Sequence, residues 1–354
     1  METALYHPEY GFYASGKTRT GQEGDFLTPV SPGPVLGQLL ARQADELHEA
    51  LGRPKPFNLI EQGADAGWLA RDILTAARRD HPALKKTASL HLIEPRPRLR
   101  ERQQATLREL APDFPIQWHD SLESFQSGRV PCFFYSCELV DSFPVRIFTY
   151  RHGGWQEKFV DGGDSGFVWV EKQPEPPARE IIQRFSPPEV EGFTFEFRPE
   201  SGPWMQRVGS RISQGLVLTL DYGFSSSELS SPAHAAGTLV ALRHHQKSRD
   251  PLADPGEQDL TAHVNFTELE EIGIQAGLDN YGLTDFARGL THLASPILTG
   301  TQNPTESWVR NFRHLTHPSF FGRTHKILVQ GKSLPKSFTP SVVTSLHHFG
   351  RPTN

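Results

Sequence analysis

Between residues 57 and 221, short apolar runs alternate with amphipathic ones, and this alternation narrows the fold more than any other feature of the chain. Strand patterns fall at 57–61, 89–94, 131–137 and 215–221. Helical patterns fill 68–79 and 97–110, where Pro97 suits a first turn, and recur at 202–213 and 267–277. Strands separated by helices build a parallel sheet, because parallel neighbours need a long crossover. The expected class is α/β, a Rossmann-like, doubly wound sheet with helices on both faces. Residues 144–199 break the pattern with RIFTY, WQEKFV, FVWVE and FTFEF, short strands separated by glycines and by the proline-rich QPEPPARE. They read as a β-rich insertion on the carboxyl side of the sheet. The run SSSELSSPAHAAG at 225–237 reads as a flexible loop.

The first strand runs into IEQGADAGWLARDIL, a strand–loop–helix in which Gly63 and Gly67 let the backbone approach a ligand. Glu61 closes this strand, and Glu94 closes the next one about thirty residues later, which suits an acceptor for ribose hydroxyls. That combination points to a nucleoside cofactor, against the plain alternative of a surface turn that binds nothing. Asp65 then separates the candidates. Beside the pyrophosphate of a dinucleotide it would cost about 1 kcal/mol in water and about 4 at an effective dielectric near 20. S-adenosylmethionine carries an ammonium and a sulfonium, so the same carboxylate suits it. The backbone tolerates aspartate here, because Asp enters left-handed conformations more readily than most residues.

Bulk properties exclude several other classes. The 354 residues are 36% hydrophobic and 10% aromatic, enough for a large core plus an insertion. Lys+Arg of 36 against Asp+Glu of 41 gives a net charge of −5, so no global field draws the chain to nucleic acid. No apolar run approaches the roughly 18 residues of a membrane span, and METALYHPEY lacks the regions of a secretory signal, so a cytoplasmic protein is expected. Cys132 and Cys137, the 2 cysteines, lie on one apolar segment and read as reduced thiols; no metal site is expected.

Further acids stand where strands end. WHDSLESF places Asp120 and Ser121 at the end of a third strand, where an acid can accept from an adenine amine. CELVDSFPV offers Glu138 and Asp141 after the apolar strand at 131–137, a clamp for a cationic acceptor. At this point the chain resembles the MidA family of S-adenosylmethionine-dependent methyltransferases, bacterial relatives of a mitochondrial complex I assembly factor that methylates arginine. The matching segments are ALYHPEYGFYASG, GDFLTP, EQGADAGWLARDIL, LIEPRPRLRERQ, WHDSLESF, ELVDSFPV, GGWQEKFV, LVLTLDYG and DPLADPGEQDLTAHVNFTEL, spread from Ala4 to Gly331.

The resemblance implies a class I methyltransferase fold divided into an N-terminal cap region (1–55), a cofactor-binding half (56–143), the insertion (144–200), the remainder with acceptor-side loops (201–331) and a weakly ordered tail (332–354). It implies cofactor contacts at Gly24, Asp25, Glu61, Gly63, Gly67, Glu94, Asp120 and Ser121, to which the reading of the loop adds Asp65, with Glu138 and Asp141 beside the transferred methyl. Tyr222 is read as an acceptor-pocket wall, and Asp259 and His263 as acceptor-side contributors. The expected acceptor is an arginine of a protein, a respiratory-complex subunit being one such partner. The chain departs from the family at Ser31, where an acid is typical, at Asp65, where glycine is typical, and at Cys137, where asparagine is typical. A non-catalytic assembly protein on a degenerate methyltransferase fold is therefore the competing expectation, with a dinucleotide oxidoreductase behind it. Thr267 and Glu270 have the spacing of a capping box, which would explain the end of the DPLADPGEQDLTAHVNFTEL run without function.

Overall fold

The structure, a computed structural model, describes residues 1–14, 27–126, 128–163, 166–243, 246–248, 250–300 and 304–343. The chain forms two compact units. One comprises Thr28–Leu139, Trp204–Tyr222 and Leu269–Asn354; the other Met1–Leu27, Val140–Pro203 and Gly223–Glu268.

The first of these is built on strands β1 (Phe57–Gln62), β2 (Ala88–Ile93), β3 (Ile116–His119), β4 (Cys132–Cys137), β5 (Gly215–Phe224), β6 (Asp279–Asp285) and β7 (His325–Lys332). They lie in the order β3-β2-β1-β4-β5-β7-β6. All neighbours pair in parallel except at β7, which runs antiparallel to β5 and β6. Strand order reverses between β1 and β4, so the carboxyl ends of these two strands open the crevice in which such sheets take ligands. The expected α/β sheet is therefore present, and the reversed β7 carries its first residue, His325, to that same carboxyl edge.

Burial explains the helices. In Val35–Ala50, Leu36, Leu39, Leu40 and Leu47 form one apolar stripe, and in Trp68–Asp80 Leu69, Ile73 and Leu74 form another. Both stripes join the core with Leu59, Phe133, Tyr135 and Leu218 of the sheet. Truncating any of these leucines to alanine falls in the range of about 2–5 kcal/mol for a core cavity. Gly37 lets the two helices meet, since a Cβ there would lie 2.5 Å from Cβ of Asp72. Alternation along the strands turns Gln62 and Phe134 to the opposite face. There the Trp204 indole donates to Gln62 Oε1 at 3.0 Å. Of the segment read as a weakly ordered tail, Ser341–Val343 forms a 3-10 turn with Val342 and Val343 buried, and the Val342 amide donates to Gln43 Oε1 at 3.0 Å. Two apolar side chains next to a backbone anchor hold this part of the tail in the core.

The second unit carries two antiparallel sheets. One has the order Gly166–Lys172, Gly154–Gly163, Arg146–Arg151, Thr194–Phe197, and the other Gln246–Ser248, Val240–Arg243, Asp259–Thr261. The run 225–237, read as a flexible loop, contains the short helix Ser226–Leu229 instead. Ser225 Oγ accepts from the Glu228 amide while Glu228 Oε2 accepts from the Ser225 amide, a reciprocal capping box. The box expected at Thr267 and Glu270 is replaced: helix Phe266–Gln275 begins one residue earlier, and Asn265 Oδ1 accepts from the Glu268 amide at 3.2 Å. Thr267 Oγ1 accepts from the Ser226 amide at 3.1 Å, so its hydroxyl serves the neighbouring turn.

A buried polar chain crosses three strands: His119 Nε2 lies 3.0 Å from His91 Nδ1, and His91 Nε2 lies 3.2 Å from Asn58 Oδ1. Burial, with the neighbouring His119, lowers the His91 pKa to about 4. A base depressed on folding contributes stability above its unfolded pKa near 6.5, which is lost as pH falls toward 4. Urea unfolding at pH 7 and pH 5 is expected to show a loss of about 2 kcal/mol in the wild type that His91→Gln lacks.

Candidate functional site

In the sheet unit, the loop between β1 and the helix Trp68–Asp80 turns on three left-handed residues: Gly63 (φ 79°), Asp65 (φ 42°) and Gly67 (φ 82°). One side chain holds it. Gln103, fully buried on helix Pro97–Leu107, donates from Nε2 to the Asp65 carbonyl at 2.8 Å and accepts from the Trp118 indole of β3 at 2.9 Å. Glu61 faces inward: its carboxyl accepts from the Tyr135 hydroxyl at 3.1 Å and from the Ala70 amide, and burial pushes its pKa up to about 8. It therefore ties the strand to the first turn of the helix. Glu94, 1% exposed, closes β2; its Oε1 accepts from the Arg96 amide at 3.0 Å and from Arg96 Nε at 2.9 Å.

Asp120 and Ser121 follow β3. Asp120 is 78% exposed in its side chain and pairs with Arg100, while Ser121 exchanges hydrogen bonds with Ser124 in a local turn. Gly24 and Asp25 lie outside the described residues. Ser31 closes a turn by accepting from the Thr28 amide through its hydroxyl at 3.0 Å.

The carboxyl ends of β4 and β5 and the amino end of β7 bring three side chains together. Glu138 adopts φ 50°, its amide donates to the Leu220 carbonyl at 2.9 Å, and its Oε1 lies 2.9 Å from His325 Nε2. Tyr222 pairs with His325 in the β5–β7 register, ring centroids 5.4 Å apart. The sequence offered no signal for His325, which lies 187 residues from its partner.

The other unit gathers Asp141, Asp259 and His263. Thr261 Oγ1 donates to Asp141 Oδ2 at 2.8 Å, and Tyr13 Oη donates to Asp259 Oδ1 at 3.1 Å. Both carboxylates are buried, at 6% and 4% exposure. Burial, reinforced by Asp259, raises the Tyr13 pKa and keeps its hydroxyl a donor. Tyr6 stacks on Tyr13 with centroids 5.5 Å apart and donates to Ser142. Arg198, buried and absent from the sequence reading, binds the carbonyls of His263 at 2.7 Å and Ala262, fixing the strand that carries Asp259 and Thr261. The His263 ring itself packs edge-on to Phe224 at 5.0 Å, beside a cavity of about 40 Å³ that also meets Glu196 and His234.

The donor set of the sheet unit fits a cationic nucleoside. Asp65 on the loop and Glu94 at the end of β2 supply carboxylates that oppose pyrophosphate and favour a sulfonium, while Glu61, its pKa pushed up to about 8, adds no charge at neutral pH. Comparison with known proteins agrees. Residues 39–284 match the model of a family described as "Putative S-adenosyl-L-methionine-dependent methyltransferase". The chain belongs to this family. The rat "Protein arginine methyltransferase NDUFAF7, mitochondrial" is 30% identical over 296 residues, covering 77% of this chain and 64% of that protein. The fruit-fly homologue is 28% identical over 328 residues, covering 85% and 68%. The chain thus spans less than two thirds of the length of the rat relative. A Burkholderia thailandensis protein solved with S-adenosyl-homocysteine superposes with a TM-score of 0.84 at 26% identity, covering 96% of this chain and 88% of that one. The expectation of a cytoplasmic protein is overturned by these relatives, which are named mitochondrial. Neither the composition of METALYHPEY nor the length of the apolar runs separates one aqueous compartment from another. Among the described residues, no helix is long and apolar enough to cross a membrane.

The loop geometry carries its own test. A Cβ on Gly63 would lie 3.0 Å from Leu139 Cδ1, at a φ that β-branched residues avoid. Gly63→Val is expected to lower stability by about 2–4 kcal/mol in urea unfolding, and Gly63→Ala by about half as much.

Proposed function

We propose that the protein is an S-adenosylmethionine-dependent methyltransferase acting on an arginine nitrogen of a protein. The observation that carries the acceptor class is the pair of buried carboxylates, Asp141 and Asp259, set with stacked Tyr6 and Tyr13. Carboxylates and aromatic faces are the chemistry that recognises a planar guanidinium. The names of the relatives support the same acceptor, and a respiratory-complex subunit is the partner that the family resemblance implies.

When bound, S-adenosylmethionine supplies a methyl already activated on sulfonium, so the protein's work is placement. Gly63 and Gly67 would let the loop backbone approach it, and Glu94 would accept from its ribose. Glu138, at the carboxyl edge, would orient the guanidinium and draw positive charge away from the attacking nitrogen. As the nitrogen gains the methyl that the sulfonium gives up, the Glu138 carboxylate would take the proton that the nitrogen sheds.

Titration calorimetry with S-adenosylmethionine is expected to show binding that Glu94→Ala weakens by about 1–3 kcal/mol, the worth of a charge-assisted hydrogen bond. Transfer of labelled methyl to lysate proteins is expected to fall roughly 100-fold in Glu138→Gln with cofactor affinity retained, and acid hydrolysis should release the label as methylarginine. A wild-type protein that binds the cofactor but labels nothing would leave the non-catalytic assembly reading in its place.

A further inference from the structure

We propose that His325 is a positioning residue for the methyl transfer, fixing the carboxylate of Glu138 from the first residue of β7; the inference rests on the role given to Glu138 above. Glu138 is held in a left-handed backbone conformation, φ 50°, that a glutamate does not choose by itself. Its backbone is pinned by the bond to the Leu220 carbonyl. The side chain still has three torsions to fix, and Cys137 beside it offers only a weak donor. His325 Nε2, 2.9 Å from Oε1, supplies a strong one.

The imidazole is itself immobilised. Rings of Tyr222, Phe286 and Phe321 surround it at centroid distances of 5.4, 5.2 and 5.0 Å. Nδ1 lies 3.2 Å from the Thr324 hydroxyl. With Glu138 ionised, Nε2 carries the hydrogen and donates to Oε1, while the Thr324 hydroxyl, whose own hydrogen goes to the Phe320 carbonyl at 3.2 Å, holds the other side of the ring. The side chains of the pair are 8% and 14% exposed, so little water competes for the bond.

The decisive comparison is His325→Leu, which keeps apolar bulk and removes the donor, against His325→Gln, which restores an N–H. Initial rates of labelled-methyl transfer to lysate proteins at saturating S-adenosylmethionine are expected to fall about 10–100-fold in the leucine variant, the range for a displaced positioning group. The cofactor dissociation constant should stay within about twofold, and glutamine should recover most of the rate. In a Glu138→Gln background, His325→Leu should have little further effect. If His325→Leu does not fold, His325→Phe, a ring without a donor, should show the same loss. Wild-type rates in the leucine or phenylalanine variant, glutamine no better than leucine, or a full additional loss in the Glu138→Gln background would each overturn the proposal. No labelling by the wild type, or full activity in Glu138→Gln, would instead refute the underlying reading.

Discussion

One buried amide sets the geometry of the cofactor end of the sheet. Gln103 joins the Asp65 carbonyl to the Trp118 indole, and through them the β1 loop to β3 across the helix Pro97–Leu107. A loop with three left-handed residues in five has little intrinsic preference for any single path, because its glycines are free to adopt many. Two neutral hydrogen bonds to one buried side chain choose one path, and leaving either partner unsatisfied would cost about 1–3 kcal/mol. Glu61 does the same from below, through Tyr135 and the Ala70 amide. The position of Glu94, the helix start and the crevice between β1 and β4 all follow from a turn fixed on both sides.

The sheet edge at Glu138 depends on a different constraint, the reversal of β7. A parallel seventh strand would place its first residue at the opposite edge of the sheet, away from Glu138 and Tyr222. Running antiparallel, β7 sets His325 beside Tyr222 in register and within hydrogen-bond reach of Glu138. The side-chain constellation is thus a consequence of sheet topology, and the aromatic rings around His325 convert that topology into a fixed ring orientation.

This division explains what could be read from the chain. The strands at 57–62, 88–93, 132–137 and 215–224 were legible because they are near-continuous apolar runs, as parallel strands buried on both faces must be. Glu94 and Glu138 were legible as acids at the ends of such runs. Strand β6, DNYGLTD, was not, because an edge strand carries polar residues and no alternation. His325 and Arg198 were hidden for another reason: each acquires its meaning only from partners 187 and 65 residues away. The stretch SSSELSSPAHAAG misled because serine and proline mark loops and helix starts alike, and only the position of Glu228 decides between them.

The departures from the family pattern are absorbed locally. Ser31 replaces a charge with a hydroxyl that closes its own turn on Thr28. Asp65 takes the left-handed conformation that glycine would take, at a difference of about 1 kcal/mol, and its backbone carbonyl still receives Gln103. Cys137 withholds an amide next to Glu138, and His325 provides a nitrogen donor from a strand that the sheet was already obliged to bring there. Each change falls where backbone geometry or a neighbour can make it good, and none removes Glu94, Glu138, Asp141 or Asp259. Buried carboxylates held by hydrogen-bond partners are the physical ground on which the proposed methyltransferase reading rests.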